Sequence, residues 1–367
     1  MDYLQGRKTP LFDQHVAGGA KMINFSGWLL PLEYMGGLYE AKAARAGSVL
    51  FDASHMGQIS VSGGKAADFL QRLTSNDISL INSLQLQYNL FISPRGTILD
   101  DFILYRVNGS FLSVVNACNK EKVIAWLEKN KTRGVVIRDE SDHTALLSLQ
   151  GPRSQELLEE VSGVSLRSLP YMNFVNVSFE GSRCFISRSG YTGEKGYEIY
   201  CEADFAPFLW DKLVKKGVDY SLVPAGLSSR DILRIEAGYP LYGNDIDEDT
   251  NPWEASLGWV VKDKGVDFIG RKAVAEAKEE RPKRMRIGFI MDDRAMPRKG
   301  YLLYNSGTPV GEVTSAAYSP NMNKFIGMAY VAAEYSKIDT VLHLAVRNKF
   351  YRCYVARFPF VKIRANK

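Results

Sequence analysis

The sequence predicts an α+β fold that ends in a small antiparallel β-barrel. Short strands and helices alternate from about residue 50, without the long βαβ series of a doubly wound sheet. Past Pro282 the pattern changes to short strands separated by Gly, Pro, Asn or Ser turns, which is typical of a small barrel. The 367 residues, of which 46% are hydrophobic, suffice for two or three domains with a substantial core.

The first elements are predicted between residues 55 and 130. MGQISVSG alternates as a strand, and KAADFLQRL follows as a helix. The apolar face of this helix comprises Ala67, Phe69, Leu70 and Leu73. LQYNLFIS, a Pro-Arg-Gly turn and TILDDFILYRV form a β-hairpin, and Asn108-Gly109, which readily takes positive φ, turns the chain into the strand FLSVVNA. Asn119 is suited to cap the helix KEKVIAWLEKN.

The second half of the chain continues with a hairpin, a strand and two helices. FVNVSFEG and SRCFISRSG are the arms of the hairpin, YEIYCE is the strand, and FAPFLWDKLVKK and SSRDILRIEAG are the helices. The basic run KEERPKRMR, Lys278 to Arg286, also holds two Glu and predicts a solvated linker. The predicted barrel strands are RIGFIM, GYLLYN, PVGEVTSA, FIGMAYV, TVLHLAV and RCYVARF.

Composition and motifs argue against several classes of function. No apolar run reaches the ~20 residues of a membrane helix, and MDYLQGRKTPLFD lacks the apolar core of a signal peptide. We therefore expect a cytoplasmic protein without membrane contact, or a mature mitochondrial matrix form. A net charge of +5 is too weak to indicate nucleic-acid binding. The four cysteines and four histidines lack ligand spacing, which predicts reduced thiols and no metal.

Two adjacent acids, Asp100 and Asp101, lie inside an apolar strand. Neighbouring strand residues point to opposite faces, so one acid is expected to face solvent or cap the turn while the other faces the apolar side or a cavity. A carboxylate in that position is costly unless it meets donors or does chemistry. The residues alone leave two interpretations open, a structural carboxylate bonded to backbone amides and a catalytic one.

An arginine pair marks the segment Pro224 to Lys262. Arg230 and Arg234 are one helical turn apart on the same face. Such pairs bind planar carboxylates or phosphates, but salt bridges to nearby acids explain them equally well. The acidic run NDIDED lacks the Gly and the terminal Glu of a calcium loop, so no metal is expected there.

Taken together, the segments resemble the aminomethyltransferase family, the T proteins of the glycine cleavage system. The resemblance covers nearly the whole chain, in order and without a large insertion. The matching segments are KTPLFDQHVAGGAKMINFSGWLLPLEY, VLFDASHMGQ, SPRGTILDDFILY, VVNACNKEK, LQGPRSQELL, SRSGYTGEKGYEI, PAGLSSRDILRIEAGYPLYGNDIDEDTNPWEASLGWVVK, GEVTSAAYSPNMNKFIGMAYV and PFVK.

The resemblance implies a three-lobed cloverleaf. Residues 1–262 would form two intertwined α+β folate-binding lobes, with the inner lobe at roughly 52–140. A linker at 263–282 would lead to a C-terminal antiparallel β-barrel at 283–367. The implied reaction takes the methylene of an S-aminomethyl-dihydrolipoyl group on H protein to tetrahydrofolate, which is a co-substrate. Its products are 5,10-methylenetetrahydrofolate, ammonia and dihydrolipoyl H protein.

The resemblance also implies roles for individual residues. Asp101 would be the catalytic carboxylate near N5 and N10 of the folate, with Asp100 structural. The implied substrate-binding residues are Tyr88, Asn116, Tyr191, Glu198, Arg230 and a C-terminal basic residue, Arg364 or Lys362. The two tyrosines would stack on the folate rings or hydrogen-bond to them. Glu198 would accept hydrogen bonds from the pterin, and Arg230 would hold a folate carbonyl or glutamate group. His55 is expected to be a structural, hydrogen-bonding histidine.

Relatives with this fold suggest two other functions. One is another tetrahydrofolate-dependent one-carbon transferase or demethylase that acts on a small molecule. The donor, a lipoylated protein or a free small molecule, distinguishes this function from that of a T protein. The other is a folate-binding accessory protein of iron–sulfur maintenance. Such proteins resemble Lys-Gly-Cys-Tyr-x-Gln where this chain has RSGYTGE, Arg188 to Glu194, and the missing Cys argues against that role.

Overall fold

The structure is a computed structural model that describes residues 5–366. Its helices are α1 (Phe12–Ala17), α2 (Gly37–Ala46), α3 (Ala66–Leu73), α4 (Lys120–Asn130), α5 (Ser154–Ser162), α6 (Ala206–Gly217), α7 (Leu227–Ala237) and α8 (Arg271–Glu279). The strands that precede α8 are β1 (Arg7–Lys8), β2 (Lys21–Phe25), β3 (Trp28–Glu33), β4 (Ser48–Asp52), β5 (Gly57–Ser62), β6 (Leu86–Ile92), β7 (Ile98–Val107), β8 (Ser110–Val115), β9 (Val136–Asp139), β10 (Thr144–Gln150), β11 (Phe174–Phe179), β12 (Ser182–Ser187), β13 (Gly196–Glu202) and β14 (Leu222–Pro224).

Two lobes are interleaved in sequence. A mixed six-stranded sheet has the order β11-β12-β13-β10-β4-β14, and its neighbours β4 and β10 are antiparallel. The chain between them, from β5 to β9, builds a separate antiparallel sheet of order β6-β7-β8-β5-β9. A small sheet of order β1-β3-β2 lies at the start of the described chain. The predicted α+β fold with intertwined lobes is confirmed, while the domain bounds remain predictions.

The predicted C-terminal barrel is also confirmed. Six strands close in the order β15-β18-β17-β16-β19-β20. They are β15 (Arg284–Met291), β16 (Leu302–Asn305), β17 (Thr308–Ser319), β18 (Lys324–Ala332), β19 (Val341–Val346) and β20 (Lys349–Ala356). The solvated-linker prediction is wrong for Arg286, which lies on β15 and is buried. Its guanidinium donates to the carbonyls of Ala255 and Gly238, so the strand carries this cation into the interior.

The hairpin that carries the acid pair forms as predicted. Strands β6 and β7 are antiparallel, and the register shifts between Phe91 and Ile92. Asn108 and Gly109 take positive φ in the turn into β8. Helix α3 packs on this sheet, but its buried face begins at Ala66, whereas the predicted Ala67 is exposed. Ala66 rather than Ala67 is three residues before Phe69 and therefore lies on the same face.

The predicted helix-capping role of Asn119 is wrong. Asn119 is the residue before α4, but its side chain makes no capping hydrogen bond. Its amide donates instead to Asp100, a buried acceptor that competes successfully for it.

The cysteines are free thiols as predicted, with Cys118 exposed and the other three buried. Nowhere in residues 5–366 is there a helix with the length and hydropathy needed to cross a bilayer.

The chain after the barrel returns to the N-terminal lobes. Phe358 and Phe360 pack with the cluster that contains Ile232 and Leu233 of α7. The amide of Phe360 donates to the carbonyl of Glu236 at 2.9 Å. A few residues later, the backbone of Arg364 donates to the carbonyl of Gly193 at 2.7 Å. Residues 358–365, here called the return segment, therefore connect α7 to the glycine-rich loop at 190–196.

Candidate active site

Asp101 and Tyr88 meet across the β6–β7 hairpin. The Tyr88 hydroxyl donates to Oδ2 of Asp101 at 2.9 Å. Burial raises the pKa of Tyr88 well above its ordinary value, so the phenol remains a neutral donor. Burial also raises the pKa of Asp101, against the opposing effect of hydrogen bonds from Tyr88 and Asn116. The hairpin thus presents a hydrogen-bonded carboxyl group with an unusual proton affinity.

Asp100 does not face solvent, which corrects the prediction for one of the two acids. Its side chain is fully buried and accepts hydrogen bonds from the backbone N–H and the amide of Asn116 and from the amide of Asn119. Burial and the charge of Asp101 raise the pKa of Asp100 to about 8. The alternation of the strand holds, but the loop after β8 covers the second face with amide donors.

A second group of predicted residues surrounds Arg230. The Arg230 guanidinium carbon lies 4.8 Å from the centroid of the Tyr191 ring. Its Nη1 is buried and has no hydrogen-bond partner. The Tyr191 hydroxyl donates to the carbonyl of Pro240 at 2.5 Å, and its ring stacks on Tyr239. A buried guanidinium N–H normally has an acceptor, so the Nη1 of Arg230 is a donor left without its usual partner.

Glu198 lies close enough to Arg230 for their charges to interact. Burial raises the pKa of Glu198, while the Ser189 hydroxyl, which donates to it at 2.5 Å, acts in the opposite direction. The positive charge of Arg230 also favours the ionised form of this carboxyl. In the same way, the charge of Asp101 raises the pKa of Tyr191, although burial is the larger cause of that shift. These interactions place the Arg230 group beside the Asp101 hairpin.

Arg230 and Arg234 share a helix but differ in their contacts. Arg234 is fully buried and pairs with Asp245 at 2.5 Å and Asp231 at 2.8 Å. The salt-bridge interpretation is therefore correct for Arg234. Arg230 keeps a free N–H, so the ligand interpretation is retained for it alone.

The two C-terminal candidates line one groove. A cavity of about 220 Å³ is bordered by Pro152, Glu194, Lys195, Lys362 and Arg364. Arg364 is half exposed, and its Nη1 lies 3.5 Å from the carboxylate of Glu194. Three cationic side chains, Lys195, Lys362 and Arg364, line one groove, which suits an anionic chain.

His55 differs from its prediction. Its Nδ1 is buried without a hydrogen-bond partner, so the predicted hydrogen-bonding role is wrong for that atom. Burial lowers the pKa of His55 to about 4, with a smaller contribution from the charge of Arg230, which keeps the ring neutral. The ring packs edge-on against Phe25 at 6.0 Å between centroids.

Two residues near the site were not predicted from the sequence. Trp259 is exposed and stacks on Tyr88, with ring centroids 5.7 Å apart. Arg286 comes from the barrel, and its positive charge favours ionisation of Asp101. Nothing in SLGWVVK, the segment that carries Trp259, indicates a position near the acid pair. Across the described part of the chain, no group of three or more His, Cys, Asp or Glu is arranged to hold a metal ion.

Comparisons with known proteins agree on one class for the fold and the site. The family model of the GCVT N-terminal domain matches residues 11–265, and that of the glycine cleavage T-protein C-terminal barrel domain matches residues 284–362. A solved structure of the glycine cleavage system aminomethyltransferase T from Bartonella henselae superposes with a TM-score of 0.92 at 35% identity, covering 98% of this chain and 99% of that one.

Curated relatives narrow the class further. The aminomethyltransferase of Halothermothrix orenii is 42% identical over 97% of this chain and 100% of its own length, and that of Bacillus subtilis is 39% identical over 97% and 99%. The chain therefore belongs to the glycine cleavage T-protein family. Its activity is aminomethyl transfer, with tetrahydrofolate as the co-substrate of the family.

Proposed function

We propose that this chain acts on a lipoylated H protein, with Asp101 as the catalytic residue. The S–CH2–NH2 carbon of the lipoyl arm would be attacked by N5 of tetrahydrofolate. Ammonia would leave, N10 would close the methylene bridge, and the dihydrolipoyl arm would be released. The observation that carries the proposal is the Asp101 carboxyl group, held by Tyr88 and Asn116 and raised in pKa by burial.

A carboxylate in this position suits the proton and charge movements of the reaction. The attacking amine must lose a proton, and the carbon becomes iminium-like as ammonia departs. Asp101 would accept the proton and stabilise the positive charge. Burial raises the pKa of Asp101, and a raised pKa makes a carboxylate a stronger general base.

The residues around Arg230 fit a folate. A carboxylate such as Glu198 can accept the paired N–H donors of a pterin. The unpartnered Nη1 of Arg230 would donate to a folate carbonyl or glutamate oxygen, and the rings of Tyr191 and Tyr88 would pack on the aromatic groups. The groove of Lys195, Lys362 and Arg364 would take the anionic tail.

The donor is the second part of the proposal. A net charge of +5 would favour an acidic carrier protein over a neutral small amine. No observation in the structure favours the alternative small-molecule demethylase. The two functions differ in the donor they require, so the donor is what the experiment must vary.

The experiment measures ammonia release from aminomethyl-lipoyl H protein with and without tetrahydrofolate. For the wild type we expect folate-dependent release. For Asp101→Asn we expect turnover to fall about 10²-fold to 10⁴-fold with tetrahydrofolate affinity changed only several-fold. Asp68→Asn, an exposed acid on α3, is the control for removing a negative charge. Normal turnover by Asp101→Asn would overturn the catalytic role proposed for Asp101. Release of ammonia only from small amines would overturn the assignment of lipoylated H protein as the donor.

A further inference from the structure

One amide group holds both acids of the adjacent pair. Nδ2 of Asn116 lies 2.8 Å from Oδ1 of Asp100, 2.9 Å from Oδ1 of Asp101 and 3.0 Å from the Asp101 carbonyl oxygen. Asn116 is the first residue after β8, the strand that pairs with β7. The side chain therefore leaves the sheet at the edge where it can reach carboxyl groups on both faces of β7.

Asn116 is itself held in place by Asp100. The same carboxyl group that accepts from the Asn116 amide also accepts from the Asn116 backbone N–H at 3.2 Å. Asn119 donates a further hydrogen bond to it at 2.6 Å. A side chain fixed at both its backbone and its amide has little rotational freedom. The Asn116 donor is consequently oriented toward Asp101 before any substrate binds.

The donors that hold the pair are neutral. Asn116 and Asn119 contribute amides to Asp100, and Tyr88 contributes a phenol to Asp101. Neutral donors stabilise two adjacent carboxylates much less than cations do, so ionising both groups in the interior is costly. A carboxyl pair in such surroundings loses its two protons in well-separated steps that belong to the pair.

Other charged and titratable groups face the pair from the neighbouring elements. Around Asp101 they are Tyr88 of β6, Tyr191 of the glycine-rich loop and Arg286 of β15. Around Asp100 they are Cys118, Tyr242 and, through its contact with Tyr242, Lys122. Arg286 favours an ionised Asp101, whereas Cys118 and Tyr242 are neutral at pH 7. The asymmetry assigns the single negative charge to Asp101 and the remaining proton to Asp100.

We propose that Asp100 is a positioning residue for the aminomethyl transfer. It fixes Asn116, Asn116 fixes Oδ1 of Asp101, and the two carboxyl groups together hold one proton in the active enzyme. This inference rests on the proposed function of Asp101. Asp100 itself touches no substrate, so its effect on the reaction passes through Asn116.

A double-mutant cycle tests the route through Asn116. Asp100→Ala and Asn116→Ala should each lower kcat for ammonia release about tenfold or more, with the Kd for tetrahydrofolate unchanged within about threefold. The double variant should be no slower than the slower single variant, because both changes break one chain of contacts. Independent, multiplying losses would overturn the proposal.

Infrared spectroscopy tests the shared proton without relying on the folding of any variant. In wild-type protein labelled with ¹³C-carboxyl aspartate, the carbonyl-stretch band of a protonated aspartic acid should be present at pH 7 and should vanish as the pH rises above 8. The label separates this band from those of buried glutamic acids such as Glu198. A spectrum without the band at pH 7 would overturn the shared-proton part.

Matched controls separate this proposal from a stability effect and from the proposed function. Glu40 is also fully buried and accepts four hydrogen bonds, so Glu40→Gln should lower thermal stability without removing the aspartic band. If wild type shows no folate-dependent release, or Asp101→Asn keeps it, the function itself is wrong. If both behave as expected and the cycle is additive, only the role of Asp100 fails.

Discussion

The guanidinium of Arg234 and the carboxylate of Asp245 lie 2.5 Å apart, and both side chains are shielded from solvent. Arg234 also donates to the Ser315 hydroxyl of β17 at 2.7 Å, and Asp245 accepts from the Leu241 backbone at 3.0 Å. The pair thus links α7 to the barrel and to the loop after the helix. Arg230 is one turn earlier on α7, so the same link anchors the helix that carries it.

Removing Asp245 should destabilise the protein strongly. Burial favours the neutral acid, but the charge of Arg234 keeps the pKa of Asp245 below its ordinary value, so the pair is ionic. Asp245→Ala leaves the buried Arg234 with only the half-exposed Asp231 as an ionic partner and should cost about 3–5 kcal/mol of unfolding free energy. Asp231→Ala removes the half-exposed partner of the same arginine and should cost about 1 kcal/mol or less. If denaturant titrations gave the two variants equal losses of unfolding free energy, burial of Asp245 would not be the reason for its contribution to stability.

Arg230→Ala should weaken tetrahydrofolate binding. A hydrogen bond from a charged donor is worth about 1.5–3 kcal/mol, which corresponds to about tenfold to a hundredfold in Kd. Arg95→Ala, which removes an exposed arginine, is the control. Isothermal titration calorimetry measures both variants, and an unchanged Kd for Arg230→Ala would count against its assignment to the folate.

Tyr88→Phe should shift the pH dependence of turnover. The Tyr88 hydrogen bond lowers the pKa of Asp101, so its loss raises that pKa further. The acid limb of kcat against pH, where Asp101 becomes protonated, should move to higher pH, and turnover measured on that limb should fall several-fold. Tyr239→Phe, which removes a hydroxyl outside the hairpin, should leave the limb in place. A limb that moves to lower pH would contradict the contact.

Asp100 should make the wild type lose stability as the pH rises from about 4 to 8, and His55 opposes this effect between about 4 and 6.5. An acid whose pKa is raised in the folded state binds more protons when folded, so unfolding becomes easier through the interval between the two pKa values. For Asp100 that interval runs from 3.8 to about 8. The slope it contributes is at most about 1.4 kcal/mol per pH unit. Asp100→Asn should flatten this slope, and thermal melts of both proteins across the interval would show an unchanged slope if the assignment is wrong.

Short-range patterns predicted most of the fold. The β6–β7 hairpin, the Asn108-Gly109 turn and the barrel strands depend on neighbouring residues, whose turn chemistry and alternation are visible in the sequence. The placement of Ala67 failed by one residue, because Ala66 precedes Phe69, Leu70 and Leu73 by three, four and seven residues, which is the spacing of one helix face. Asn119 was predicted from its local preference for helix caps, and a buried acceptor distant in sequence overrode that preference.

The candidate site was only partly predictable. The acid pair and Arg230 carry signals in their own segments, since charges inside apolar or helical patterns need a reason. Trp259 and Arg286 reach the site from elements far along the chain, and nothing in their own segments indicates that they lie near the acid pair. The bridge through Asn116 depends on how β8 ends beside β7, which is a property of the paired sheet and not of either strand.

The return segment has a consequence for how the protein is made. Phe360 and Arg364 contact Glu236 and Gly193, which precede them by more than a hundred residues. During synthesis the ribosome releases α7 and the glycine-rich loop long before it releases this segment. The lobes can therefore fold early, but the loop that carries Tyr191 gains its last backbone contacts only after residues 358–365 have emerged. A nascent chain stalled within the barrel would lack the hydrogen bonds that Arg364 and Ala365 donate to Gly193 in the loop that carries Tyr191.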